Sequence, residues 1–233
     1  RMLVLCLGEP PVEFEWTRCD KDGRPVDTRI YTPAGFYGEY IGENLEDNYV
    51  MIMNDPCREY GKVYEIDYDR HVYDGHNWLY VNLPVERIKE IAVASIKDNT
   101  AMYFSCDVGK FLSKGKGTLD LANFDYESLM GVSFGMDKRE RVMTHASGSS
   151  HAMTLIAVDI DKESGRPVKW MVENSWGASA GYKGCLIMTD EWFDGYMFRL
   201  VAEKKYVPAD VLEMLKGTPE RLPAWDPMFL PEE

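Results

Sequence analysis

Two side chains in this sequence are of a kind, and in a context, that could run nucleophilic chemistry. His151 opens an apolar run after the small, flexible stretch Ala146 to Ser150; Asn174 closes a second apolar run and is followed by Ser175-Trp176-Gly177. A thiol nucleophile needs a base close enough to hold it as thiolate, and that base needs a third group to fix its tautomer and ring orientation. An imidazole and a side-chain amide can take those two roles, the amide oxygen accepting from one ring N–H. Trp176 would exclude water from that bond. Adjacent antiparallel strands would bring the pair together. Gly165-Arg166-Pro167, between the two runs, suits a hairpin turn, because glycine tolerates positive φ and proline presets the backbone.

The elements that must position this pair are legible as periodicities. From residue 100 the chain reads as alternating strands: Ala101 to Cys106, Ala152 to Ile160, Val168 to Val172, Cys185 to Met188 and Met197 to Val201. Helices are expected at Asp125 to Val132, with Asp125 as cap, and at Pro208 to Lys216, ended by Gly217. Upstream, Pro84 to Lys97 places Val85, Ile88, Ile91, Ala92, Ser95 and Ile96 on one face of an amphipathic helix. Val50 to Met53, Val63 to Tyr68 and Trp78 to Asn82 read as short strands between turn-forming residues. Thr32-Pro33 signals a capped helix running to about Gly42. Met2 to Leu7, after Arg1, reads as a buried strand, too short for a signal-peptide core or a membrane span. The tail Leu222 to Glu233 holds three prolines and is expected to stay extended.

Composition narrows the class. A chain of 233 residues, 45% hydrophobic, can bury a real core. With 39 acidic against 26 basic residues the formal charge is -13, which repels nucleic-acid backbones and anionic membrane surfaces, so neither is expected as a partner. Cys6, Cys19, Cys57, Cys106 and Cys185 are odd in number, scattered and never spaced as C-x-x-C, which argues against a disulfide framework or a zinc site and fits a reducing cytosol. His71 and His76 sit in a turn-rich segment without metal-ligand spacing; His145 precedes the Ser/Gly loop and reads as a loop residue. No metal or cofactor is implied.

Ser150-His151-Ala152-Met153-Thr154 followed by Val172-Glu173-Asn174-Ser175-Trp176-Gly177, then Gly181 and Gly184, resembles the histidine and asparagine motifs of papain-like cysteine peptidases. Ser95-Ile96-Lys97-Asp98, Cys106-Asp107-Val108-Gly109-Lys110, Thr189-Asp190-Glu191-Trp192-Phe193 and Leu222-Pro223-Ala224-Trp225-Asp226-Pro227-Met228 narrow the resemblance to the bleomycin hydrolase and aminopeptidase C family. A histidine heading an apolar strand is ordinarily structural, and the paired motifs reverse that reading.

The resemblance implies an α+β, papain-like fold, mainly its antiparallel β-barrel lobe, with family-specific insertions. Residues 1–85 would be an insertion and oligomerisation region, 86–221 the β lobe with His151 and Asn174, and 222–233 a tail lying in the active-site cleft. There the carboxylate at Glu233 could pair with a substrate's ammonium, giving an aminopeptidase, although the bulky ending Phe229-Leu230-Pro231-Glu232-Glu233 departs from the family's small residues and leaves endopeptidase action open. The lobe bearing the cysteine is expected to be missing, since none of the five cysteines has the family's neighbours; the chain would be a truncated or processed product, inert by itself. Cys6 is expected in the core, and Cys106 as a structural strand residue. Cys185, where the family often has tyrosine, is expected to affect packing. Trp192 and Phe193 are expected as core anchors at a helix start. The implied partners are peptide substrates, the missing lobe and five further copies in a cytosolic homohexamer. The alternative is a non-catalytic scaffold or assembly domain.

Overall fold

In the computed structural model, which describes residues 1–229, the chain divides into two compact units, Arg1–Asn48 and Tyr49–Glu233. The first holds α1 (Met2–Leu7), β1 (Phe14–Cys19), β2 (Pro25–Tyr31), α2 (Pro33–Tyr40) and α3 (Leu45–Asn48). β1 and β2 form an antiparallel hairpin. Its turn is fixed by the Asp20 carboxylate, which accepts the backbone N–H groups of Asp22 and Arg24 at 2.8 and 2.9 Å. Thr32 caps α2, its hydroxyl accepting from the Gly35 N–H at 3.1 Å, with Pro33 in the first turn as the sequence predicts. Phe36 and Tyr40 of α2 pack edge-on and tilted against Trp16, Phe14 and Tyr31 of the hairpin. That aromatic cluster is this unit's substitute for an aliphatic core.

The second unit runs β3 (Tyr49–Met53), β4 (Lys62–Ile66), β5 (Trp78–Asn82), α4 (Val85–Lys97), β6 (Met102–Cys106), β7 (Leu112–Ser113), β8 (Thr118–Leu119), α5 (Tyr126–Met130), α6 (Lys138–Met143), β9 (His151–Ile160), β10 (Pro167–Glu173), β11 (Cys185–Thr189), α7 (Asp190–Tyr196), β12 (Met197–Glu203), α8 (Ala209–Met214) and β13 (Glu220–Leu222). Its strands form one eleven-stranded sheet in the order β13-β4-β5-β3-β12-β6-β9-β10-β11-β8-β7, antiparallel except at β13-β4, β5-β3 and β11-β8. The α+β expectation holds. Residues 49–82, grouped with the insertion on sequence, contribute three strands to the same sheet as the histidine strand.

The core lies where the amphipathic face of α4, with Ile88, Ile91, Ala92 and Ser95 buried, meets β9 and β12. α7 closes it from the side: Thr189 caps the helix through the Trp192 N–H, and Trp192 and Phe193 are fully buried. Trp170 stacks on Phe193 at 4.7 Å and donates its indole N–H to Asp190 at 2.9 Å. Burying Phe193 alone contributes about 1.5–3 kcal/mol, which is why the Asp-Glu-Trp-Phe run acts as an anchor.

Two readings are corrected, and two elements that the sequence reading did not identify are added. Met2–Leu7 is a helix, not a strand, and none of its residues is buried, so Cys6 is exposed rather than core; a short apolar run without partners carries no period that separates strand from helix. The polar stretch after Cys19 is a hairpin turn between two strands the sequence reading passed over. α6 was also passed over; its signal is a capping box, Asp137 and Glu140 each accepting the other's backbone N–H. The described tail is folded into two turns, Asp226 N–H to Pro223 O and Phe229 N–H to Asp226 O; in the second, Asp at the first and Pro at the second position favour a tight turn. Among the described residues no helix is long and apolar enough to cross a membrane.

Candidate active site

β6, β9 and β10 lie side by side, with Cys106 opposite His151 and Glu173 opposite Thr154. The hairpin expected at Gly165 joins β9 to β10: Asp161 N–H bonds Arg166 O, Gly165 N–H bonds Asp161 O, and Gly165 has φ 69°. The loop leading into His151 is tied to β6 rather than free. The Ser147 hydroxyl donates to buried Asp107 at 2.7 Å, the Ser149 hydroxyl to that of Ser105 at 2.9 Å, and the Ser150 N–H to Cys106 O at 3.1 Å. Three bonds in four residues fix where β9 begins, and therefore where the imidazole stands.

Asn174 is held from the other side. Its N–H donates to Gly184 O at 2.9 Å, so the segment 175–184 returns as a closed loop. Gly181 is required in that loop: its φ is 56°, and a Cβ there would stand 2.2 Å from Cys185 O. The result is an Asn174 Oδ1 lying 2.8 Å from His151 Nε2 and also accepting from the Ser175 N–H at 2.8 Å. An amide oxygen only accepts, so the proton of the neutral imidazole sits on Nε2 and the lone pair on Nδ1. Nδ1 is thus the atom able to take a proton. The Trp176 indole lies 5.2 Å from the imidazole, tilted by 30°, and is 42% exposed, so it screens one face of the ring while its own outer face meets water. Beside Asn174 a cavity of about 360 Å³ is lined by Tyr103, Ala152, Met153, Thr154, Glu173 and Ser175.

The structure thus brings His151, Asn174 and Trp176 together. Glu233 lies outside the described residues. Cys106, although opposite His151, is fully buried, and burial, with Asp107 as a second cause, pushes its thiol well above the ordinary range. Burial likewise pushes Cys57 up to about 12. Such thiols are poor nucleophiles. His71, His76 and His145 are exposed, and no group of three or more His, Cys, Asp or Glu side chains poised to hold a metal occurs among the described residues.

The sequence reading missed the supports: Asp107 and Ser147 under the histidine loop, and Lys138 of α6. The Lys138 ammonium donates to Asn54 Oδ1 at 2.6 Å and to the carbonyls of Met197 and Asp194, pinning α6 to the head of β12. A lysine beginning a helix looks solvated in sequence; only the fold reveals the acceptors that enclose it.

The Peptidase C1-like family model matches residues 1–229. Bleomycin hydrolase of Mus musculus is 43% identical over 98% of this chain and 51% of its own length. Aminopeptidase C of Streptococcus thermophilus is 36% identical over 97% of this chain and 51% of its own. Among solved structures, PepW from Lactobacillus rhamnosis superposes with a TM-score of 0.88 at 34% identity, covering 97% of this chain and 51% of that one. The chain spans about half the length of these relatives.

Proposed function

The chain belongs to the Peptidase C1-like family, and from that premise we propose that it supplies the base and the orienting amide of a cysteine aminopeptidase. The observation that carries this is the 2.8 Å bond from His151 Nε2–H to Asn174 Oδ1, which leaves Nδ1 as acceptor. The nucleophile in this reading is a cysteine on the part of the polypeptide corresponding to the half of the relatives that this chain does not span. His151 Nδ1 takes the thiol proton; the thiolate sulfur adds to the scissile carbonyl carbon, and the carbonyl π electrons move to oxygen. As the tetrahedral adduct collapses, the C–N bond breaks and Nδ1–H gives its proton to the departing amine, leaving a thioester. Water then adds to the thioester, losing a proton to Nδ1, and the thiolate leaves. Asn174 stabilises the imidazolium in both halves without moving.

The same reading makes residues 222–233 a strap along the cleft, whose acidic end meets the substrate's free ammonium. The chain without its cysteine-bearing partner region is inert, and residues 1–85 contribute to a cytosolic homohexamer. Assays on the full-length enzyme with matched peptides, free or acetylated at the N-terminus, test the specificity. Release of single N-terminal residues from free peptides alone is expected, abolished by His151→Ala. Cleavage of acetylated peptides inside the chain would replace the aminopeptidase by an endopeptidase, and no cleavage of either would favour a scaffold.

A further inference from the structure

The segment between β8 and α6, with α5 inside it, closes a cavity of about 1030 Å³ that shares no lining residue with the one beside Asn174. Asp125 caps α5 by accepting the Ser128 N–H at 3.0 Å, and Gly131 ends it in the left-handed region at φ 67°. Glu127 Oε1 then accepts the Phe134 N–H at 3.0 Å, which turns the chain back over its own helix. Tyr196, Phe111, Tyr126, Phe124 and Phe134 line the cavity as a chain of ring contacts, with centroids 5.6 to 6.2 Å apart. Met130 and Met136 complete the wall. Folding leaves much of it in water: Phe134 is 60% exposed and Met130 61%. Such a wall offers ring stacking and soft sulfur contacts to a small aromatic ligand.

The cavity also carries both signs of charge. The Arg141 guanidinium, on α6, lies 4.8 Å from the Tyr196 ring and donates to Met136 O at 2.8 Å and Gly195 O at 3.0 Å. Its Nε is buried and meets no acceptor among the described residues. A carboxylate laid side-on along the guanidinium relieves that deficit. Asp125 and Glu127 line the cavity too, but they are committed to the α5 cap and the Phe134 turn. Glu191, exposed at the start of α7, lines it with neither hydrogen bond nor ion pair among the described residues. An anion alone would face these acids, and a cation alone would face Arg141. A zwitterion bearing a ring answers all three demands. We propose that the cavity binds a free aromatic amino acid, with its carboxylate on Arg141, its ammonium on Glu191 and its ring against Phe111, Tyr126 and Phe134. The Arg141 carbonyl accepts the Ala146 and Ser147 N–H groups at 2.8 and 3.2 Å, so a ligand that steadies Arg141 also steadies the loop that sets His151. Under the proposed function such a zwitterion is a product of the reaction; binding itself does not depend on that reading.

The test is calorimetry on the full-length protein with L-phenylalanine as the probe, beside phenethylamine, which lacks the carboxylate, 3-phenylpropanoate, which lacks the ammonium, and L-alanine, which lacks the ring. Arg141→Gln is expected to weaken L-phenylalanine and 3-phenylpropanoate about 10- to 100-fold and leave phenethylamine unchanged. Glu191→Gln is expected to weaken L-phenylalanine and phenethylamine and leave 3-phenylpropanoate unchanged, and Phe134→Ala to weaken all three. Glu191 and Phe134 are exposed, so those two variants decide the matter even if Arg141→Gln fails to fold. No saturable binding at millimolar concentration, equal binding of L-alanine, or L-phenylalanine binding untouched by Glu191→Gln and Phe134→Ala would overturn the site. With L-phenylalanine bound, hydrogen exchange at Ala146 and Ser147 is expected to slow several-fold; unchanged exchange at saturation would overturn the link to the histidine loop. Binding without any peptidase activity would sink the proposed function and leave the site standing; peptidase activity without binding would do the reverse.

Discussion

Asp226→Asn isolates what holds the C-terminal turns in place. The Asp226 carboxylate is 2% exposed, pairs with the Arg58 guanidinium and accepts the Met228 N–H at 3.1 Å. Its loss releases Met228, itself 3% exposed, and Phe229 from Trp78 and Tyr80. Breaking a fully buried ion pair costs about 3–5 kcal/mol. Two features reduce that here. Arg58 is 34% exposed, so water re-solvates the orphaned guanidinium. Asp55, whose carboxyl is held above the ordinary range by burial first and by the charge of Asp226 second, is relieved when that charge goes. The expected net cost is therefore roughly 1–3 kcal/mol. If the turns open locally, amide exchange over Asp226–Phe229 accelerates on the order of 10- to 100-fold with Tm nearly unchanged. If they unfold with the whole, Tm falls by about 2–10 °C. Exchange and Tm both at wild-type values would refute the claim that this bridge anchors the tail.

Asn174→Ala removes the acceptor of His151 Nε2–H, so turnover of the full-length enzyme should fall by about 10²–10⁴-fold with KM little changed; long-range proton–nitrogen NMR should show His151 changing from the Nε2–H form to mixed tautomers, whereas a single retained tautomer would contradict the orienting role. Ser147→Ala leaves buried Asp107 short of one donor and should cost about 1–3 kcal/mol by chemical denaturation, with reduced turnover because the histidine loop loosens; full stability would show that the bond is idle. Lys138 gives a pH signature. Burial pushes it down from 10.5 to about 7, so between those values the unfolded chain binds the extra proton; this contribution to stability rises with pH across the window and is flat below about 7. The stability difference between wild type and Lys138→Met, followed by denaturant titrations from pH 6 to 10, should track that rise; a pH-independent difference would contradict it.

What the sequence made legible follows from the range of the interactions involved. β5, α4, the capped helices at Thr32 and Asp125, and the hairpin that pairs His151 with Asn174 all rest on local periodicity, caps and turn residues, and they stand where expected. Met2–Leu7 went wrong because six apolar residues have no period to read, and its fate depends on partners. The tail went wrong because three prolines suggested extension, while Asp226 meets Arg58 from a strand-rich region far away in sequence. At the site, the histidine and its amide were visible as residue types in a motif. Their supporting bonds were not: Asp107 lies in a legible motif and Ser147 in the loop before His151, but they, like Lys138, matter through bonds to segments distant in sequence.

The most direct test of the central claim is to treat the full-length protein from its source with a thiol-directed peptide epoxide and map the modified residue by mass spectrometry, with His151→Ala alongside. Label on a cysteine outside residues 1–233, lost in the variant, is the predicted result. Label on Cys106 or Cys6, or a labelling rate unchanged by His151→Ala, would contradict the assignment of His151 as the base of a cysteine peptidase.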